Sequence, residues 1–451
     1  MKNLLLIFVA FIAVSCSFDN KTGIWKDASS IPVDNQVVNT IEENQSERKY
    51  VDTSDQSTMF NDEVDASSGS ILKLDNPVVI DNWNEQYGSI TNNISSISHS
   101  GPKTLISRSS KLSKFSQNKN IVFYKNDLIT FDHKGRIFIY SVILKKKVYI
   151  YNFYKKNFKD FSKYIYLKIN ENILYAADNL GYVYAIDLKN ESLVWAKNFG
   201  IPFRSNIKVT DGQVFLANQD NKVYSLDAKT GNKNWQFSTS TTFLKNDFKN
   251  NIAIDKSSKS LLFLNTTGEL FSINYINQKI NWVLNFKKSS PSQDSTLFLS
   301  QPMAWKSNNL IVSTEKATIS YSTEDSSKNW SLDVEAALKP TITSNHTFVL
   351  SKNNLLICVE NKTGNVLWSV NILKNFEPKF KRKIGKLSDF KIVNNELNLF
   401  SNNGYLLSLN YNDGNLKYIK KISKKGINSE VVFLNNNMFL IDNKNKLLKF
   451  N

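Results

Sequence analysis

The chain has 451 residues but only two cysteines, Cys16 and Cys358, and three histidines, His99, His133 and His346. No two histidines are close in sequence and the cysteines lack metal-type spacing, so no zinc-type centre is offered. Nor is there a Gly-rich phosphate loop or a Gly-x-Ser-x-Gly elbow. Apart from residues 4–14 no apolar run is long enough to consider as a bilayer span, and that run is too short for a permanent one. Cys358 lies in the run Leu355-Leu356-Ile357-Cys358-Val359 and is expected to be a small buried core residue.

What is present begins at the N-terminus. Lys2 gives a short positive start, the apolar run follows, and Ala13-Val14-Ser15 precede Cys16. That order is a secretory signal peptide over residues 1–15. The run Ala-Val-Ser-Cys resembles the bacterial lipobox, which implies acylation of Cys16. Ser17, in place of an Asp, resembles an outer-membrane address. Residues 16–75 read as a lipidated, flexible polar tether, because Ser, Asp, Asn and Glu cannot bury enough apolar surface to offset ordering. Ile24-Trp25 offers one small apolar anchor within it.

Charge is uneven. Residues 17–75 carry 12 acidic and 5 basic residues, whereas residues 76–451 carry 28 acidic and 51 basic, within a total of +17. The excess Lys is scattered through turns, which reads chiefly as a solubilising surface and secondarily as a face for anionic lipid or an acidic partner. Nucleic acid does not suit a secreted chain.

Residues 76–451 are built from an internal repeat. Gly181-Tyr-Val-Tyr-Ala-Ile-Asp187 leads to Trp195, Lys222-Val-Tyr-Ser-Leu-Asp227 through Lys229-Thr230-Gly231 to Trp235, and Leu355-Leu-Ile-Cys-Val-Glu360 through Lys362-Thr363-Gly364 to Trp368. Further copies end at Tyr149, Trp282, Trp330 and Tyr418, and a half-copy, Lys446-Leu-Leu-Lys-Phe450, ends the chain. Each unit is a pair of strands joined by a tight turn: Asp bonds the backbone ahead of it, Gly takes the positive φ, and Trp supplies a flat surface between neighbours. Asp187, Asp227 and Asp413 therefore serve turns, not catalysis. Two more apolar runs precede most units, so each repeat of about 40–50 residues supplies the four strands of a propeller blade. The expected fold is an all-β, eight-bladed β-propeller of four-stranded antiparallel blades. A strand from the N-terminal side, Val78-Val-Ile-Asp-Asn-Trp83, is expected to close the last blade. Seven blades is the alternative count.

The repeat resembles the pyrroloquinoline-quinone (PQQ) enzyme repeat, most closely at Val183-Tyr184-Ala185-Ile186-Asp187 and Tyr224-Ser225-Leu226-Asp227-Ala228-Lys229-Thr230-Gly231. With the lipobox, the tether and Trp83-Asn-Glu-Gln86-Tyr-Gly88, the chain resembles the BamB family, outer-membrane assembly-factor lipoproteins of the β-barrel assembly machinery. That resemblance implies a scaffold without catalysis, cofactor or metal, lipid-anchored in the outer membrane and facing the periplasm. It implies as partners the barrel-inserting subunit BamA with its periplasmic domains, and unfolded outer-membrane proteins. Within Gly200-Ile-Pro-Phe203-Arg204-Ser205, an inter-blade connection, Phe203, Arg204 and Ser205 are the candidate partner-binding residues, since Arg and aromatics are enriched in binding hot spots. Two other readings are an envelope propeller that binds cell-wall polymer and a PQQ-dependent dehydrogenase. The latter class normally shows adjacent cysteines and is considerably longer.

Overall fold

A computed structural model describes residues 59–69, 71–115, 119–154, 158–241, 248–286 and 298–451, with the backbone of four short strands at 16–19, 24–27, 39–41 and 49–50. The signal segment 1–15 and the side chain of Cys16 lie outside the described residues.

Eight sheets form the ring. Blades 1 to 7 span residues 122–152, 165–198, 208–238, 251–285, 304–332, 341–371 and 387–421, each an antiparallel meander of four strands. The eighth takes three strands from 432–450 and its outer one from Leu105–Arg108. Residues 78–83 do not make that closing strand. Leu105–Arg108 does, because it arrives alongside Leu447–Phe450, pairing Arg108 with Leu448 and Ser107 with Lys449.

The turns follow the chemistry of the repeat. In blade 3 the Asp227 carboxylate accepts the backbone N–H of Thr230 at 2.8 Å and of Lys229 at 3.1 Å. Gly231 follows at φ +72, and a Cβ there would lie 2.6 Å from the Trp195 ring of blade 2. The same fit recurs for Gly364 on Trp330 and Gly414 on Trp368. Trp195, Trp282 and Trp330 each donate their indole N–H to a backbone oxygen of the following blade, Ala228, Thr323 and Asn361, at 3.0–3.1 Å. These three outer-strand tryptophans thus tie their blades to the next ones. Cys358 is buried against Trp368 and Phe348, and burial raises its thiol pKa.

This topology gives two faces. The tip face carries the Asp-x-Lys-Thr-Gly-type turns, and the opposite crossover face carries the blade-to-blade connections.

Part of the segment read as tether lies on the ring. Residues 39–41 and 49–50 add parallel fifth strands to the outer edges of blades 3 and 4. Phe60 then donates its N–H to Asp333 O, Val64 bridges to Ser369, and Leu72 donates its N–H to the Asn412 side chain. An outer strand has one unpaired edge, and extended chain satisfies it.

Candidate functional site

Innermost strands also have a free edge, turned toward the axis, whose N–H and C=O groups require partners. Residues 80–97 supply them in sequence around the ring. Ile80 O accepts from Asn435 N of blade 8, Trp83 O from Phe123 N of blade 1, and Asn84 O from Ile169 N of blade 2. Ile90 O accepts from Ile254 N of blade 4 and Thr91 O from Trp305 N of blade 5, at 3.0 and 3.1 Å. The Asn93 amide bonds both backbone groups of Ile342 in blade 6, and Ile97 exchanges backbone bonds with blade 7. Blade 3 is reached through a charge. Glu85 lies 2.5 Å from the Lys208 ammonium and 2.7 Å from that of Lys168 in blade 2. Lys208 also donates to Ser89 O at 2.8 Å. All three side chains are buried. Burial works to raise the Glu85 pKa, but the two ammonium groups outweigh it and hold the carboxylate below its usual range. Lys208 is pushed down to about 8 by burial, against the pull of Glu85. One full turn of chain therefore fills the channel at the tip-face end.

The crossover end stays open as a cavity of about 320 Å³, lined among others by Gln86, Tyr87, Tyr166, Asn206, Lys249 and Gln301. The Lys249 ammonium lies 3.6 Å from the Tyr164 ring centroid and 5.6 Å from that of Tyr166. Deeper in the channel wall, Lys339 stands 5.9 Å from the Tyr87 ring centroid. Burial, aided by Lys391, brings its pKa to about 7. Burial likewise pushes Glu430 up to about 7. The mouth is thus polar and aromatic and carries charge of both signs, with Lys249 and Lys352 beside Glu315 and Glu335. Among the described residues no group of three His, Cys, Asp or Glu is placed to hold a metal.

The three residues singled out in the connection from blade 2 to blade 3 have different fates. Phe203 is fully buried beneath Tyr224 and Trp195, and Ser205 is buried with its hydroxyl accepting Ala217 N at 2.7 Å. Arg204 is half-buried, and its guanidinium is close enough to Tyr166 to act on that phenol electrostatically. Phe203 and Ser205 thus fix the course of the connection, and Arg204 reaches toward the mouth. Glu85, Tyr87, Lys168, Lys208, Lys339 and Glu430 were not foreseen. The available signal was a lysine inside an otherwise apolar strand, as in Ile165-Tyr-Leu-Lys168-Ile and Ile207-Lys208-Val209.

Asp178 anchors this connection: its carbonyl accepts Phe203 N at 3.0 Å, and its carboxylate accepts Leu180 N and Tyr182 N at 2.8 and 3.0 Å. Burial nevertheless lifts its pKa from 3.8 to about 7. Between those values the folded chain holds a proton that the unfolded chain releases, so stability falls as pH rises through that window and stays lower above it. Asn218 and Asn265 fill the equivalent turns of blades 3 and 4 with the same backbone bonds. Asp178→Asn is therefore expected to match the parent below about pH 4, to exceed it slightly at pH 5 and to exceed it most at pH 8 in urea midpoint. Glu430 contributes part of the same fall, so the slope should shrink and not vanish. An unchanged pH profile would refute the assignment.

A model of the family described as outer membrane protein assembly factor BamB matches residues 167–370 and 282–451. A comparison with the curated proteins finds no match. Among solved structures, BamB from Moraxella catarrhalis is similar, with a TM-score of 0.61 at 13% identity over 77% of this chain and 99% of that one. A quinohemoprotein alcohol dehydrogenase from Comamonas testosteroni has a TM-score of 0.61 at 8% identity, over 82% of this chain and 80% of its own. A europium-containing methanol dehydrogenase has 0.59 at 10%, over 80% and 89%. At such identities the likeness is one of fold.

Proposed function

The chain belongs to the outer membrane protein assembly factor BamB family, and on that premise we propose that it is a non-catalytic scaffold lipoprotein of the β-barrel assembly machinery. In this reading Cys16 carries the lipid anchor in the outer membrane, and the ring faces the periplasm. The ring binds the barrel-inserting subunit BamA through its crossover face and assists insertion of outer-membrane proteins. The observation that carries the reading is the family match across residues 167–451, most of the propeller. The geometry agrees with it. A rigid ring sets the positions of its connecting loops, and such loops are where binding residues concentrate. The crossover mouth offers Arg204, Lys249 and three tyrosines.

Affinity capture of the lipidated chain from its own detergent-solubilised envelope tests this. Stoichiometric recovery of the barrel-inserting subunit is expected, weakened roughly thirtyfold or more by Arg204→Glu, as for an interface hot spot of about 2 kcal/mol. Recovery that ignores Arg204 would keep the function and discard the site. Enrichment of cell-wall polymer or another envelope protein instead would overturn the function.

A further inference from the structure

The N-terminal segment described above runs along the outer edges of blades 3 to 6 and reaches a turn of blade 7 at Asn412. Among the described residues it does not cover blades 8, 1 and 2, and large exposed apolar side chains gather there. They are Leu105 and Ile106 on blade 8, Ile143 and Leu144 at the tip of blade 1, and Leu193 and Val194 on blade 2. The tip is the extreme case, with Ile143 72% and Leu144 59% exposed. The same turn carries Lys-Thr-Gly in blades 3 and 6 and Asn-Asp-Gly in blade 7, and blade 4 has a single exposed apolar residue there, Ile276, so two adjacent branched apolar residues at the summit set blade 1 apart.

Lys145, Lys146 and Lys147 follow at once, all exposed. Lys147 donates to Leu112 O at 3.3 Å. Lys145 and Lys146 have no ion-pair partner among the described residues. Lys125 in the inner turn of blade 1 and Lys189 at the tip of blade 2 add to the same rim, against Asp127, Glu171, Asp187 and Glu191. The basic excess is therefore concentrated at the blade 1 tip, directly beside its apolar point. A solvated charge run needs no apolar summit. A shaped protein groove would need apolar walls around one, and here the flanks are lysine. A fluid, anionic surface fits both features, since apolar residues enter the acyl boundary while lysines meet the headgroups.

We infer that the blade 1 tip is a second membrane contact, in which Ile143 and Leu144 enter a phospholipid leaflet and Lys145–Lys147 bind its anionic headgroups. It lies on the tip face, opposite the connection that carries Arg204, so membrane and partner would be met on opposite faces of the ring. The inference does not depend on acylation of Cys16 or on the identity of the partner.

The test uses the chain from residue 16 onward carrying Cys16→Ser, which removes the expected acyl attachment. It is floated with vesicles of phosphatidylglycerol and phosphatidylethanolamine, and with phosphatidylcholine vesicles as the uncharged case. Flotation with the anionic vesicles is expected, reduced about tenfold by Ile143→Ser with Leu144→Ser and by Lys145→Glu with Lys146→Glu. The parent's binding should also weaken as salt is raised. The lysine pair, which removes no apolar contact, guards against misfolding of the first variant. Absence of flotation, or flotation indifferent to both variants, overturns the inference. So does loss of a captured envelope protein from the Ile143/Leu144 variant with flotation unchanged. Each of these outcomes leaves the assembly-factor reading intact.

Discussion

Glu85→Ala is expected to lower the stability of the ring by about 3–5 kcal/mol, because it strands two buried ammonium groups. Lys208 is fully buried, and its other bond is to Ser89 O at 2.8 Å. Lys168 would keep only the side-chain oxygen of Asn84 at 3.2 Å. Neither acceptor carries charge, so neither offsets the desolvation that Glu85 now offsets. The loss should appear as a lower urea midpoint with little change in slope if the ring still unfolds cooperatively. The sign of its pH dependence also follows. The Glu85 pKa is depressed by folding, so its contribution is present above the ordinary value of 4.5 and is lost as pH falls through the lowered one. Parent and variant should therefore converge in acid. A triple change, Glu85→Leu with Lys168→Met and Lys208→Met, is expected to recover most of the loss, since replacing a whole buried ionic group by apolar side chains is often neutral. A single variant that loses less than about 1 kcal/mol would show that water reaches the site.

Trp83→Ala should cost about 3–5 kcal/mol by a different route, the loss of a large core side chain and the cavity left behind. Trp83 is fully buried among Ile121, Phe123 and Tyr140 of blade 1 and Val432, Phe439 and Ile441 of blade 8. It therefore fills the seam where the two ends of the propeller meet. Its carbonyl accepts Phe123 N at 2.7 Å, so the side chain and the backbone of one residue hold the same junction. Trp368→Ala, inside the array at blade 6, removes a side chain of equal size from an unbroken part of the ring. Amide hydrogen exchange should separate the two variants. Loss of Trp83 is expected to raise exchange mainly in blades 1 and 8 and in residues 80–97, whereas loss of Trp368 should do so in blades 6 and 7. Uniform exposure of all blades in both variants would count against a seam that opens on its own. The Glu85 and Trp83 variants also bear on function, because Gln86 and Tyr87 of the same segment line the crossover cavity.

The blades were legible because a blade is local. Its four strands pair within about 40–50 residues, so alternation, Asp and Gly at the turn, and Trp on the outer strand could be read together. The burial of Cys358 and the turn roles of Asp187 and Asp227 follow from the same local patterns, and the structure places them so. Within Phe203-Arg204-Ser205 only the residue types were readable, and which of the three turns inward was decided by packing against Tyr224 and Ala217. The closing strand and the channel filling depended on tertiary structure for a stronger reason. Strand edges that face the axis exist only after the ring has closed, and they recruit whatever chain can satisfy their backbone groups. Residues 80–97 have no periodicity of their own, since each bonds a different blade. The sequence by itself determined a propeller of PQQ-like repeats with eight blades expected over seven, and the structure fixed the count at eight. The fate of its N-terminal segment, from the Glu85 clamp to the closing strand Leu105–Arg108, was decided by edges that no local pattern encodes.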